Sequence, residues 1–109
     1  MSKKALETLT ESMFYVLMAL RHADLCGTEI AEAVERKTGG RVRLGPGTLY
    51  TLLGSFGEKR LIEEIALDGR KRTYHITAKG IGAYEDELTR LRQCVADADK
   101  EAAPCSVPS

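Results

Sequence analysis

RLGPGTLYTLLGSFGEKRLI, residues 43–62, is the stretch that organises the chain. Taken as a helix from Thr48 onward, Leu49, Leu52, Leu53 and Phe56 fall at i, i+3, i+4 and i+7, one apolar stripe. Thr48, Thr51, Ser55 and Lys59 lie on the other side, three short hydroxyls and a cation. Gly45, Pro46 and Gly47 interrupt the chain just ahead and give the helix a sharp start. Such a helix suits a DNA groove: the apolar face docks it and the small face lets a backbone come close. Any three-helix domain also contains a helix of this kind, so the surroundings decide. Gly54 and Gly57 each cost up to ~1 kcal/mol relative to Ala in a helix interior, which favours an early end to the helix or its ordering on DNA.

Downstream the period changes. Residues 63–67 alternate like a strand, Asp68-Gly69 signals a hairpin turn, and 71–77 form a second strand. Arg72, Tyr74 and Ile76 share one face of that strand, and Tyr74 and Ile76 should pack on the helices. Arg70, Lys71 and Arg72 fall at the hairpin tip. Three cations there have no core role and repel one another unless an anion lies opposite; a phosphate backbone is such an anion.

Upstream, Thr10 caps a first helix, with Leu9 and Phe14 placed as a hydrophobic staple. Met13, Phe14, Val16, Leu17 and Leu20 make its apolar side and it ends near Ala23; residues 2–8 extend it or fray. Leu25-Cys26-Gly27 reads as a short turn, and Thr28 as the cap of a second helix burying Ile30, Ala31 and Val34. Thr38-Gly39-Gly40 stops that helix. Two helices joined through glycines, then a basic hairpin, define a winged helix-turn-helix in an α+β, mainly α, chain.

A long helix then begins at Ala78. Ile81, Tyr84, Leu88, Leu91, Val95, Ala98 and Ala102 step by three and four, a heptad seam too long for a small winged domain to bury alone. The expected organisation is a DNA-binding domain over 1–80, a dimerisation helix over 81–103 and a disordered tail over 104–109. The full 109 residues fit one domain whose small core would gain from a second copy.

Net charge is zero, yet its distribution is uneven. Residues 36–79 hold ten cations and four anions, a balance of +6, while the flanks carry −6. A basic middle between acidic ends is the footprint of a local polyanion site. No apolar run approaches the ~18 residues of a membrane helix and the start lacks a secretory segment, which points to the cytoplasm. Cys26, Cys94 and Cys105 are odd in number and lack CxxC spacing, so neither a disulfide framework nor a zinc site is expected.

Between residues 9 and about 80 the chain resembles the PadR family of bacterial transcriptional regulators. The matching pieces are LTESMFYVLMAL, GTEIAEAVERKTGGRVRLGPGTLYTLL, EKRLIEE and GRKRTYHITAKG. The single helix after the wing is similar to the small-chain branch. The resemblance implies a homodimer that binds a palindromic operator in double-stranded DNA and usually represses. Carried onto this chain, it implies that Thr48, Tyr50, Thr51 and Lys59 face DNA and that Arg70, Lys71 and Arg72 reach the flanking groove. Some small-chain members also bind flat aromatic or cationic effectors between the first helix and the last.

From the residues themselves, Arg43 and Lys59 are assigned to phosphates, and Thr48, Thr51 and Ser55 to base edges. Tyr50 either donates to a phosphate or packs its ring on the wing. His75 reads as a solvated strand histidine and His22 as a cap of the first helix. Met13, Phe14, Met18 and Tyr84 line a small-molecule pocket or pack as core. Cys26 reads as buried packing, Cys94 as a flank of the seam and Cys105 as a tail thiol. No nucleophile with a base, carboxylate pair, metal cluster or cofactor motif stands out, so an enzyme is not expected. The competing reading is a winged-helix module that binds protein, favoured by the zero net charge and the acidic second helix.

Overall fold

The computed structural model describes residues 9–105, with side chains through 101; the expectations for residues 2–8, the tail beyond 105 and the side chains of Ala102 and Cys105 fall outside that range. α1 (Glu11–His22) starts at Thr10, whose Oγ1 accepts the Met13 N–H at 3.2 Å while the Met13 sulfur accepts the Thr10 N–H. It ends at Ala23, as the sequence predicts. His22 closes α1 as an exposed residue of its last turn.

Leu25–Cys26 is not a turn but a two-residue strand, β1. It pairs antiparallel with Tyr74 and Thr73. Two residues carry no periodicity of their own; the partner strand, whose edge groups need hydrogen bonds, creates it. α2 (Gly27–Lys37) follows at once, capped at Cys26 and not at Thr28. The Glu29 carboxylate reaches back to the Cys26 N–H at 2.9 Å, which moves the cap forward. That bond is also the main reason the Glu29 carboxyl is held below its ordinary pKa. Thr38 ends α2, donating its hydroxyl to the Val34 carbonyl at 2.9 Å.

α3 spans Pro46–Glu58, two residues earlier than expected. Gly45 caps it and Pro46 takes the first helical position, where its missing N–H costs nothing. The helix runs through Gly54 and Gly57 without a break. Leu49, Leu53 and Phe56 are buried, and at roughly 1.5–3 kcal/mol for each large apolar side chain this outweighs the two glycines.

β2 (Ile62–Asp68) and β3 (Lys71–Ile76) form the wing hairpin, with Gly69 at φ +64 in its turn and a bulge between Glu64 and Ala66. The sheet order is β1-β3-β2, so β2 is an open edge. Tyr74 and Ile76 pack inward, joining Val16, Leu17, Leu20, Ile30, Val34 and the α3 stripe in one core.

α4 (Ala78–Cys105) is about 42 Å long at 1.5 Å per residue and gives the molecule extents of 61 × 37 × 22 Å. It ends two residues beyond the predicted limit. Its first half packs on α1, where Tyr84 stacks on Phe14 at 5.1 Å. Glu87 is buried, 6% exposed, between the Arg90 guanidinium and the Leu9 N–H. Arg90 chiefly, with Leu9 assisting, holds its carboxyl below the ordinary value of 4.5 against the opposing effect of burial.

Because the folded pKa of Glu87 is depressed, the stability it contributes is present above its unfolded pKa and is lost as pH falls through the folded one. Glu87→Gln should therefore lower the urea midpoint at about pH 7, and the gap to wild type should shrink as the pH is taken down into the acid range. At Gly80 an added Cβ would lie 2.1 Å from the Leu61 carbonyl oxygen, a backbone atom that cannot swing away. Gly80→Ala should destabilise by about 2–3 kcal/mol or more in thermal or urea denaturation.

Candidate nucleic-acid interface

The helical repeat turns Gly47, Thr51, Gly54 and Glu58 directly away from the Leu49, Leu53, Phe56 stripe. All four are exposed, with Thr48 and Tyr50 on the shoulders of the same face. Ser55 is only half-exposed. Lys59 is the C-cap, its N–H bonded to the Ser55 carbonyl at 3.0 Å.

Tyr50, 52% exposed, leans from α3 toward the start of α2. A Cβ on Gly27 would come within 2.7 Å of its hydroxyl, so glycine there makes room for the ring. Beside it is a recess of about 450 Å³ lined by Gly27, Thr28, Tyr50, Tyr74 and the wing cations Arg70, Lys71 and Arg72. A second, larger recess of about 700 Å³ separates α3 from β2. Tyr50, Gly54, Gly57, Arg60, Glu63 and Arg72 border it. Tyr50, Arg72 and Tyr74 line both, so the two form one trough between helix and wing.

The charges are partly compensated. Arg72 faces Glu64 at 3.7 Å and Lys71 acts on Glu29 through space. Arg70 makes no ion pair among the described residues. Burial raises the Tyr74 phenol above its ordinary pKa, with Arg72 pulling the other way.

The structure thus brings together Tyr50, Arg70, Lys71 and Arg72, whereas Thr48, Thr51 and Ser55 line neither recess. Arg43 is apart, drawn to Glu35 on α2 at 3.6 Å. Sequence reasoning missed Gly27, Thr28 and Arg60. The first two were hidden by the misplaced α2 cap; nothing in the local sequence marks Arg60.

The second group of predicted residues is at α4. Ile81, Tyr84, Leu88 and Leu91 are half-buried, whereas Val95 is 60% exposed and Ala98 is open. Phe14 and Tyr84 stack on each other, Met13 caps α1 with its sulfur, and Met18 is half-buried. His75 pairs with Asp24 at 2.8 Å, so its ring is anchored by a partner that the sequence did not indicate. Cys26 is buried and Cys94 exposed. Among the described residues no group of His, Cys, Asp and Glu could hold a metal, and no helix is long and apolar enough to cross a membrane.

A helix-turn-helix followed by a two-stranded wing, whose sheet is completed by β1, and a long terminal helix is the winged-helix regulator fold. Residues 16–86 match the transcriptional regulator PadR-like family, and the chain belongs to it. A PadR family regulator from Clostridium difficile shares the fold at a TM-score of 0.72, with 19% identity over 85% of this chain and 99% of that one. RosR from H. salinarum superposes with a TM-score of 0.66 at 29% identity, over 87% of this chain and 96% of RosR. An uncharacterized 37.1 kDa protein in transposon TN4556 of Streptomyces fradiae is 31% identical over 97 residues. That alignment takes in 89% of this chain but only 28% of the relative's length.

Nothing lies within 4 Å of a Cβ built on Gly54. Gly54→Ala should therefore stabilise the fold by about 0.5–1 kcal/mol in thermal denaturation. A lower melting temperature would reveal an internal role for this glycine.

Proposed function

We propose that the chain is a homodimeric, sequence-specific DNA-binding repressor. One observation carries this reading: the wing cations Arg70, Lys71 and Arg72 line one recess with Tyr50 of α3, whose exposed outer face carries Thr48 and Thr51. α3 enters the major groove with Thr48 and Thr51 toward base edges, and Ser55 at the margin. Arg70, Lys71 and Arg72 lie on phosphates of the flanking groove, with Arg43 and Lys59 as outlying contacts. The Val95 exposure supports pairing through α4, since a helix of this length leaves its apolar seam open in one chain. A twofold pair of α3 helices about 34 Å apart would read a palindromic operator.

Release by a flat aromatic effector is part of the same proposal. The Phe14 and Tyr84 rings, with Met13 and Met18 close in sequence, offer an aromatic and thioether surface beside the α4 seam. One observation favours a protein partner instead: Ile65 and Leu67 are 49% and 58% exposed on the open β2 edge.

Fluorescence anisotropy with the gene's own upstream duplex separates the readings. DNA binding predicts a complex whose affinity falls steeply with salt. Replacing Arg70, Lys71 and Arg72 together by Ala should weaken binding to every sequence and flatten the salt slope by about 0.9 per lost phosphate contact. Absence of any complex at low salt favours the protein-binding reading.

A further inference from the structure

We propose that Arg60 is a phosphate-contacting residue, held in a left-handed backbone so that its guanidinium closes the trough between α3 and the wing over one DNA strand. The inference rests on the DNA-binding reading and adds to it a residue that neither the recognition helix nor the wing tip contains.

The backbone gives the first argument. Arg60 has φ +63 and is the only non-glycine residue at positive φ among those described. It occupies the position just past the α3 cap: its N–H bonds the Gly57 carbonyl at 3.0 Å and the Leu61 N–H bonds the Phe56 carbonyl at 2.9 Å. Helices that end this way place glycine there, because a Cβ is disfavoured in that conformation. Fold stability alone therefore favours glycine, and an arginine kept at this point in spite of that cost directs attention to its side chain.

The side chain gives the second. Its backbone carbonyl is pinned by the Thr77 hydroxyl at 2.7 Å, so the guanidinium is launched from a fixed point. It is exposed and lines the recess of about 700 Å³ together with Gly54 and Gly57. Among the described residues it makes no ion pair. Arg72 stands on the wing side of the same recess.

Geometry supplies the occupant. With α3 in one groove and the wing in the next, the sugar-phosphate strand dividing the two grooves has to cross between them. The recess lies between those two elements. Its helix wall is glycine at 54 and 57, where a Cβ would meet nothing within 4 Å, so a backbone can come against the helix itself. Arg60 and Arg72 then bracket the strand from its two sides. Glu63 also lines the recess and opposes a phosphate, which limits the gain.

Arg60→Gly separates the two roles. It relieves the backbone and removes the charge, so the melting temperature should stay level or rise while affinity for duplex DNA drops roughly three- to tenfold and the salt slope flattens by about 0.9. Arg60→Gln, which keeps the backbone demand and loses the charge, should give the same loss of affinity. Glu63→Gln should tighten binding. If wild type binds duplex and both Arg60 variants bind with unchanged affinity and slope, the inference is overturned and the DNA reading stands. If wild type binds no duplex at all, the underlying reading has failed and takes the inference with it.

Discussion

Thr77 ties the molecule together. Its hydroxyl lies 2.7 Å from the Arg60 carbonyl and 3.0 Å from that of Leu61, and accepts the Gly80 N–H at 3.0 Å. Its own N–H donates to Leu61 at 3.0 Å, and its carbonyl receives the Ile81 N–H at 2.9 Å. Three residues on, Gly80 lets α4 rest directly on the Leu61 carbonyl. The exit of α3, the base of the wing and the start of α4 are therefore joined at one partly buried junction. Opening it would leave backbone groups of all three elements without their partners.

That constraint converts a small fold into a directed one. α3 presents its outer face and the wing presents its tip, and the base of the wing is tied to the end of α3. α4 leaves from the same junction, so its orientation relative to α3 is set before any partner arrives. A second chain joined along α4 would meet two α3 helices whose separation is already determined. No acidic residue of α4 lines either recess of the trough, so the chain's zero net charge does not reflect the charge there.

Much of this was legible in the sequence. The spacing of Leu49, Leu53 and Phe56 marked the buried side of α3, Asp68-Gly69 marked the hairpin, and the heptad steps from Ile81 marked α4. The errors have physical causes. β1 exists because β3 has an unpaired edge, and no local pattern announces a strand two residues long. Glu29 outcompetes Thr28 for the helix start by reaching back to Cys26, a choice between two plausible caps that propensity does not settle. Gly54 and Gly57 read as helix breakers, but burial of the opposite face decides the matter. Arg60 was invisible because a positive φ at a helix end is ordinarily announced by glycine.

The central claim is that two chains, joined through α4, bind one duplex with the α3–wing trough. Sedimentation velocity of the protein with its own upstream DNA tests it most directly. The account predicts that the 12.0 kDa chain sediments alone as a pair of about 24 kDa and on DNA as two chains per operator duplex. A single 12.0 kDa species throughout, with duplex sedimenting as free DNA at low salt, would contradict it.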